Sequence, residues 1–253
     1  MRTIGLLGGM SWESSLVYYR LINEAVRTRC GELHSAKCIM HSVDFSEVAA
    51  LQRAGDWDQL THMLATGATG LRRAGAEMLV ICTNTMHYIA EEVYRAAEIP
   101  LVHIADAVGA DICQKKLRRV GLLGTKFTME MDFYRNRLEK HFGIEVITPS
   151  AVDRQMVHDV IFNELCRGIL SPSSKSEFLR VVNLLSRQGA EGIVLGCTEI
   201  PLLITESDAE VTLFDTTAIH AKAAIQAAFD QQPLHSSAFR SMLTGRPETM
   251  VEY

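Results

Sequence analysis

Apolar runs alternate with amphipathic stretches along most of the chain. Thr3-Ile4-Gly5-Leu6-Leu7-Gly8-Gly9 is an unbroken apolar run into a glycine turn, the mark of a buried strand. A helix is predicted over residues 14–29, where Leu16, Tyr19, Ile22, Asn23 and Val26 fall near one face and Trp12-Glu13 lead in. Residues 37–43 read as a second strand closed by Asp44-Phe45, and residues 57–74 as a helix stopped by Gly75. A short apolar strand at 78–82 runs directly into the polar Thr83-Asn84-Thr85. Residues 86–97 are helical again, and Pro100 precedes a strand predicted at 101–104.

Strands alternating with helices in this way build a parallel sheet with helices on both faces. The pattern then restarts. Val120-Gly121-Leu122-Leu123-Gly124 repeats Ile4-Gly5-Leu6-Leu7-Gly8 at an offset of about 116 residues. Gly189-Ala190-Glu191-Gly192-Ile193-Val194-Leu195 repeats Gly75-Ala76-Glu77-Met78-Leu79-Val80-Ile81 at about 114, and Phe214-Asp215-Thr216 stands for Ile104-Ala105-Asp106 at about 110. The predicted fold class is therefore α/β: two pseudo-symmetric domains, each a parallel sheet flanked by helices, with the site in the interdomain cleft. The first unit is residues 1–115 and the second 116–217, divided at the basic stretch 115–119. Residues 218–253 are expected to pack back on the first unit through a helix at 219–229. Residues 231–253, with two prolines, one glycine and little periodicity, read as a loosely held extension.

Composition narrows the function. Of 253 residues, 47% are hydrophobic, enough for a sizeable core. The 25 Lys and Arg against 30 Asp and Glu give a net charge of -5, which excludes a general binder of nucleic-acid backbones. No apolar run approaches the roughly 20 residues that span a bilayer. The first nine residues carry no signal-peptide cleavage pattern, so a cytoplasmic location is expected, with the six cysteines (30, 38, 82, 113, 166 and 197) reduced. They form no C-x-x-C pair and no zinc spacing, so no metal is expected. The glycine turns fit neither a dinucleotide fingerprint nor a P-loop.

In parallel sheets, ligands bind beyond the carboxyl ends of the strands. The equivalent strand ends are Cys82-Thr83-Asn84-Thr85 and Gly196-Cys197-Thr198-Glu199, and the offset of about 114 pairs Thr83 with Cys197 and Asn84 with Thr198. Two units facing each other would put Thr83 and Cys197 on opposite sides of one bound carbon, a geometry suited to chemistry at a stereocentre.

Gly8-Gly9-Met10-Ser11, Cys82-Thr83-Asn84-Thr85-Met86-His87 and Gly196-Cys197-Thr198-Glu199-Ile200 resemble the motifs of the aspartate/glutamate/hydantoin racemase superfamily, over roughly residues 2–225 and most of all its enterobacterial aspartate/glutamate, broad-specificity branch. The resemblance implies cofactor-independent racemisation of L- and D-aspartate or glutamate, with a broader range open, by two thiols on opposite faces of Cα. It also implies a homodimer. This chain departs from the pattern at the first catalytic position, where Thr83 replaces a cysteine and Cys82 lies one residue earlier. On a strand, that shift turns a side chain to the opposite face. Cys82 is expected in the core, Thr83 and Cys197 in the cleft. In two-thiol relatives the second-unit cysteine acts on the L-enantiomer, so an asymmetric enzyme is expected, with Cys197 as base.

Candidates for substrate contact are Met10, Ser11, Gln52, Arg53, Asn84, Thr85, Thr125, Thr198 and Glu199, with Arg53 or Arg167 reading an acidic side chain. In Glu164-Leu165-Cys166-Arg167-Gly168 the lysine of some acidic-amino-acid racemases is missing. His87 and Glu199 are placed to tune the reacting groups, while His103 and His220 read as structural. Two other functions stay open: a single-cysteine decarboxylase of the same superfamily and a non-catalytic binder of an acidic amino acid.

Overall fold

The computed structural model describes residues 1–230; the extension expected at 231–253 lies outside the described residues. The first unit runs β1 (Ile4–Gly8), α1 (Trp12–Cys30), β2 (Cys38–Ser42), α2 (Phe45–Ala54), α3 (Trp57–Arg73), β3 (Met78–Ile81), α4 (Ala90–Ala97) and α5 (Ile104–Gln114). The second runs β4 (Arg119–Gly124), α6 (Lys126–Glu130), α7 (Asp132–Phe142), β5 (Glu145–Ile147), α8 (Ala151–Asn163), α9 (Pro172–Arg187), β6 (Gly192–Gly196), α10 (Ile200–Leu203), β7 (Thr212–Asp215) and α11 (Thr216–Phe229).

Both sheets are parallel and wound alike. The first has the order β2-β1-β3 and the second β5-β4-β6-β7. The strand predicted at 101–104 is reduced to a single bridge between Leu79 and Leu101, because α5 already begins at Ile104. His103 caps that helix by accepting the Ala105 amide, and so draws the segment into helix before a ladder can form. The helix predicted at 86–97 begins as a 3-10 turn over Thr85–Ile89 before α4.

Strand side chains alternate between faces, so each strand feeds two cores. Leu6, Val80 and Cys82 join Leu122, Val194 and Phe214 in a central cluster that also takes residues of α1, α5, α7 and α11. Leu7, Leu79 and Ile81 face a core private to the first unit, and Leu123, Leu195 and Cys197 one private to the second. Residues such as Leu6 and Leu122 are fully buried, each worth about 1.5–3 kcal/mol relative to exposure. The terminal helix α11 packs on α1 and α5, and the Arg2 amide donates to Ala228 O at 2.7 Å.

Two glycines let backbones meet where the strands end. Gly9 has φ +91°, and a Cβ there would stand 2.2 Å from Val43 O. At Gly196, just before Cys197, a Cβ would lie 2.9 Å from Leu123 O. Among the described residues, no helix is long and apolar enough to cross a membrane.

Candidate active site

The strand registers fix the equivalence of Thr83 and Cys197. Leu7 pairs with Ile81 across β1 and β3, and Leu123 with Leu195 across β4 and β6. Two residues beyond Ile81 is Thr83, and two beyond Leu195 is Cys197. Both line one small cavity, about 30 Å³, between the strand ends of the two sheets. That is room for about one water. Cys82 is fully buried in the central core, with its thiol pushed up by burial.

Of the residues the sequence singled out, Met10, Gln52, Thr83, Asn84, Thr85, Thr125, Cys197, Thr198 and Glu199 line the cavity. Ser11 stands behind it as the N-cap of α1. Arg53, in the last turn of α2, is exposed and does not line the cavity, because α2 turns its buried face, Val48, Ala49 and Gln52, inward. Arg167 is exposed as well. Phe45, Met86, Ile161, Phe162, Cys166 and Gly196 complete the wall. Nothing in the motifs marked Phe45, Ile161 or Phe162, which come from α2 and α8. The ring of Phe45 stacks on that of Phe162, one from each unit, with centroids 6.4 Å apart and planes at 13°.

Glu199 organises the second strand end. It is buried, and its Oε1 accepts from Ser11 Oγ at 2.8 Å and Ser14 Oγ at 2.9 Å. Its Oε2 accepts from Thr198 Oγ1 at 2.7 Å and from the Cys197 thiol at 2.9 Å. Ser14 also bonds Thr198. Four donors from both units thus hold one carboxylate. Ser14 gave no functional signal in sequence beyond its place three residues after a capping serine.

Burial, then the charge of Glu199, push the Cys197 thiol well above its ordinary value, and Cys166 adds to this. The helix that follows, α10, has four residues and offers little dipole to oppose them. The Cys197 thiol donates to Glu199 Oε2.

On the other wall, Asn84 Nδ2 donates to Thr216 Oγ1 at 3.0 Å, while Asn84 Oδ1 is buried with no partner. The hydroxyls of Thr85, Thr125 and Thr128 lie 3.3, 3.3 and 3.4 Å apart, long for O–H···O bonds. His87 holds the Thr83 backbone: its Nδ1 donates to Thr83 O at 2.8 Å, and its Nε2 accepts the Ile104 amide at 3.2 Å. That pair of bonds assigns the neutral tautomer. Burial first, then the neighbouring His103 and His220, hold its pKa well below the usual range.

Among the described residues, no group of three or more His, Cys, Asp or Glu side chains is placed to hold a metal.

The family model of the Asp/Glu/Hydantoin racemases matches residues 7–224. The broad specificity amino-acid racemase RacX of Bacillus subtilis (strain 168) is 23% identical over 233 residues, covering 88% of this chain and 96% of that protein. Two crystal structures share the fold. A Yersinia pestis protein assigned to the Asp/Glu racemases superposes with a TM-score of 0.85 at 51% identity, over 91% of this chain and 100% of that one. An aspartate racemase homologue from Pyrococcus horikoshii OT3 gives 0.79 at 36% identity, with the same coverage of 91% and 100%.

Proposed function

The chain belongs to the Asp/Glu/hydantoin racemase family, and from that premise we propose that it inverts the α-carbon of a free amino acid, aspartate and glutamate being the family's eponymous substrates, without a cofactor. Cys197 takes the α-proton, and Thr83 stands on the opposite face. The observation that carries this reading is the register that puts Thr83 and Cys197 at equivalent strand ends lining one cavity.

The unpartnered Asn84 Oδ1 accepts from the substrate ammonium, and the loosely paired hydroxyls of Thr85 and Thr125 donate to its carboxylate. The arriving ammonium neutralises local negative charge, and the thiol proton passes to Glu199 along the existing 2.9 Å hydrogen bond. The resulting thiolate removes the α-proton, leaving a carbanion delocalised into the carboxylate. A proton then reaches the far face from the Thr83 hydroxyl, which regains one from water, and Glu199 returns the proton it holds to the hydroxide so formed, restoring the resting site. A hydroxyl is a far weaker acid than a thiol, so kcat differs between the enantiomers and is higher for the L-form, while kcat/KM stays equal because the enantiomers have equal free energy.

The six free cysteines support a reducing, cytoplasmic setting. Trp12, Leu16 and Tyr19, exposed along one side of α1, support a homodimer. Light scattering of the purified protein measures that mass directly.

The reading is tested by proton NMR of L- and D-amino acids in deuterated water without added cofactor: loss of the α-proton signal with inversion is expected, and binding without exchange would overturn it. The single thiol opposite Thr83 and the apolar arc of Phe45, Ile161 and Phe162 favour the decarboxylase reading, and carbon dioxide release from a substituted malonate would decide for it.

A further inference from the structure

Glu199 divides its carboxylate between the two units. Its Oε1 takes the hydroxyls of Ser11 and Ser14, from the first unit, while its Oε2 takes Thr198 and the Cys197 thiol, from its own strand end. Ser14 is buried and lies outside the cavity wall, so any part it plays in the reaction runs through the groups it bonds. Ser11 is the N-cap of α1 and accepts the Ser14 amide at 3.4 Å, which makes Ser14 the third residue of that helix. A capping box carries Glu or Gln there, long enough to return to the cap's own amide. The serine hydroxyl instead crosses to the second unit, to Glu199 Oε1 and Thr198 Oγ1. Each hydroxyl has one proton to give. Those of Ser11 and Ser14 go to Oε1, so the bond between Ser14 and Thr198 forms when Thr198 turns its proton from Oε2 to Ser14 Oγ. Oε2 is then left to the thiol.

Resting on the racemase reading above, we propose that Ser14 is a positioning residue for the proton transfer at Cys197: it fixes Glu199 Oε1 and draws the Thr198 hydroxyl aside, so that Oε2 faces the thiol as its proton acceptor. A carboxylate is planar, and holding one oxygen with two hydroxyls sets the direction of the other. An oxygen relieved of a donor is also the stronger base, because hydrogen bonds to a carboxylate favour its charged form. In the transfer the S–H bond breaks and an O–H bond forms on Oε2. The electron pair stays on sulfur as the thiolate, Glu199 becomes the neutral acid, and nothing is oxidised. The acceptor for the second unit's thiol is thus completed by the first unit.

The test follows α-proton exchange of L-aspartate and L-glutamate in deuterated water on the full chain, with kcat and KM resolved separately. Ser14→Ala is expected to lower kcat at least about tenfold, the loss of one hydrogen bond to a charged group, with KM within about twofold because Ser14 does not line the substrate site. In a Glu199→Gln background the same substitution is expected to change kcat by less than about twofold, since the carboxylate through which Ser14 acts is gone. A folded Ser14→Ala variant with the wild-type kcat overturns the proposal. So does an equal loss in both backgrounds, which a merely structural serine would give. Where Ser14→Ala does not fold, Ser14→Cys, a weaker donor, carries the same expectations in both backgrounds. A wild type that exchanges no α-proton overturns the racemase reading and this proposal with it, whereas exchange that is insensitive to Ser14 overturns the proposal alone.

Discussion

The two halves of this molecule carry the same scaffold to the same point and then part company. Each begins with an Ile/Val-Gly-Leu-Leu-Gly strand, pairs it with the following strand on one side and the third strand on the other, and ends that third strand at the cavity. The second half adds a full strand, β7, where the first has one bridge at Leu101. It also ends in a thiol bonded to a buried carboxylate, where the first ends in a threonine whose carbonyl is pinned by a neutral histidine. The two halves thus share the position of the strand end and differ in the chemistry they place there.

A sharper form of the comparison sets Cys82 against Cys197. Both are buried thiols at the ends of equivalent strands, one register position apart from equivalence. Cys197→Ala is expected to lower α-proton exchange by at least about 10³-fold, the loss typical of an essential acid–base group, while Cys82→Ala leaves exchange within about twofold and shows only as a lowered melting temperature. Comparable losses in the two variants, both folded, would erase the distinction.

Glu199→Gln keeps the hydrogen-bond acceptor for Ser11 and Ser14 but removes the charge. Exchange is expected to fall about 10²-fold, while the thiolate absorbance of Cys197 titrates at lower pH than in the wild type, since the carboxylate's charge is one of the causes that raise it. An upward move of that titration would contradict the assigned role. Thr83→Cys restores the missing thiol, and turnover of the D-enantiomer is expected to rise about tenfold relative to the L-enantiomer. An unchanged ratio removes Thr83 from the far-face proton transfer.

The smallest effect is on stability. His87 and His220 are buried and neutral, with His220 pushed down to about 4, chiefly by burial. Their folded pKa values lie below the unfolded value of about 6.5, so the unfolded chain binds protons that the folded one refuses as pH falls below that point. Stability is therefore expected to drop between about pH 6.5 and 4, by roughly 3 kcal/mol for His220 alone. Asp215, whose carboxyl is raised mainly by burial, offsets part of this by gaining stability on acidification. Urea midpoints measured from pH 7 to 5 that do not fall would mean these histidines are charged in the folded protein.

Much of this architecture was legible along the chain. The repeat of glycine-bounded apolar runs placed β1, β3, β4 and β6 and paired Thr83 with Cys197, because a buried parallel strand is continuously apolar and a duplicated one repeats its turn residues. The alternation of strand faces was enough to send Cys82 inward. The strand expected at 101–104 was lost to a side-chain cap on His103, a competition between local hydrogen bonds that periodicity does not register. The stacking of Phe45 on Phe162 joins segments 117 positions apart, which no local pattern registers.

The sequence by itself determined the two sheets, the strand ends that meet, and the single thiol with a partner position. Those depend on local pattern, and local pattern is written in consecutive residues. Only the tertiary structure decided that Arg53 lies outside the cavity, that Ser11 and Ser14 from one half hold the carboxylate of the other, and that the same carboxylate faces the Cys197 thiol. Charge, solvation and hydrogen bonding at a buried site depend on what distant segments bring within a few ångströms, and no stretch of neighbouring residues contains that information.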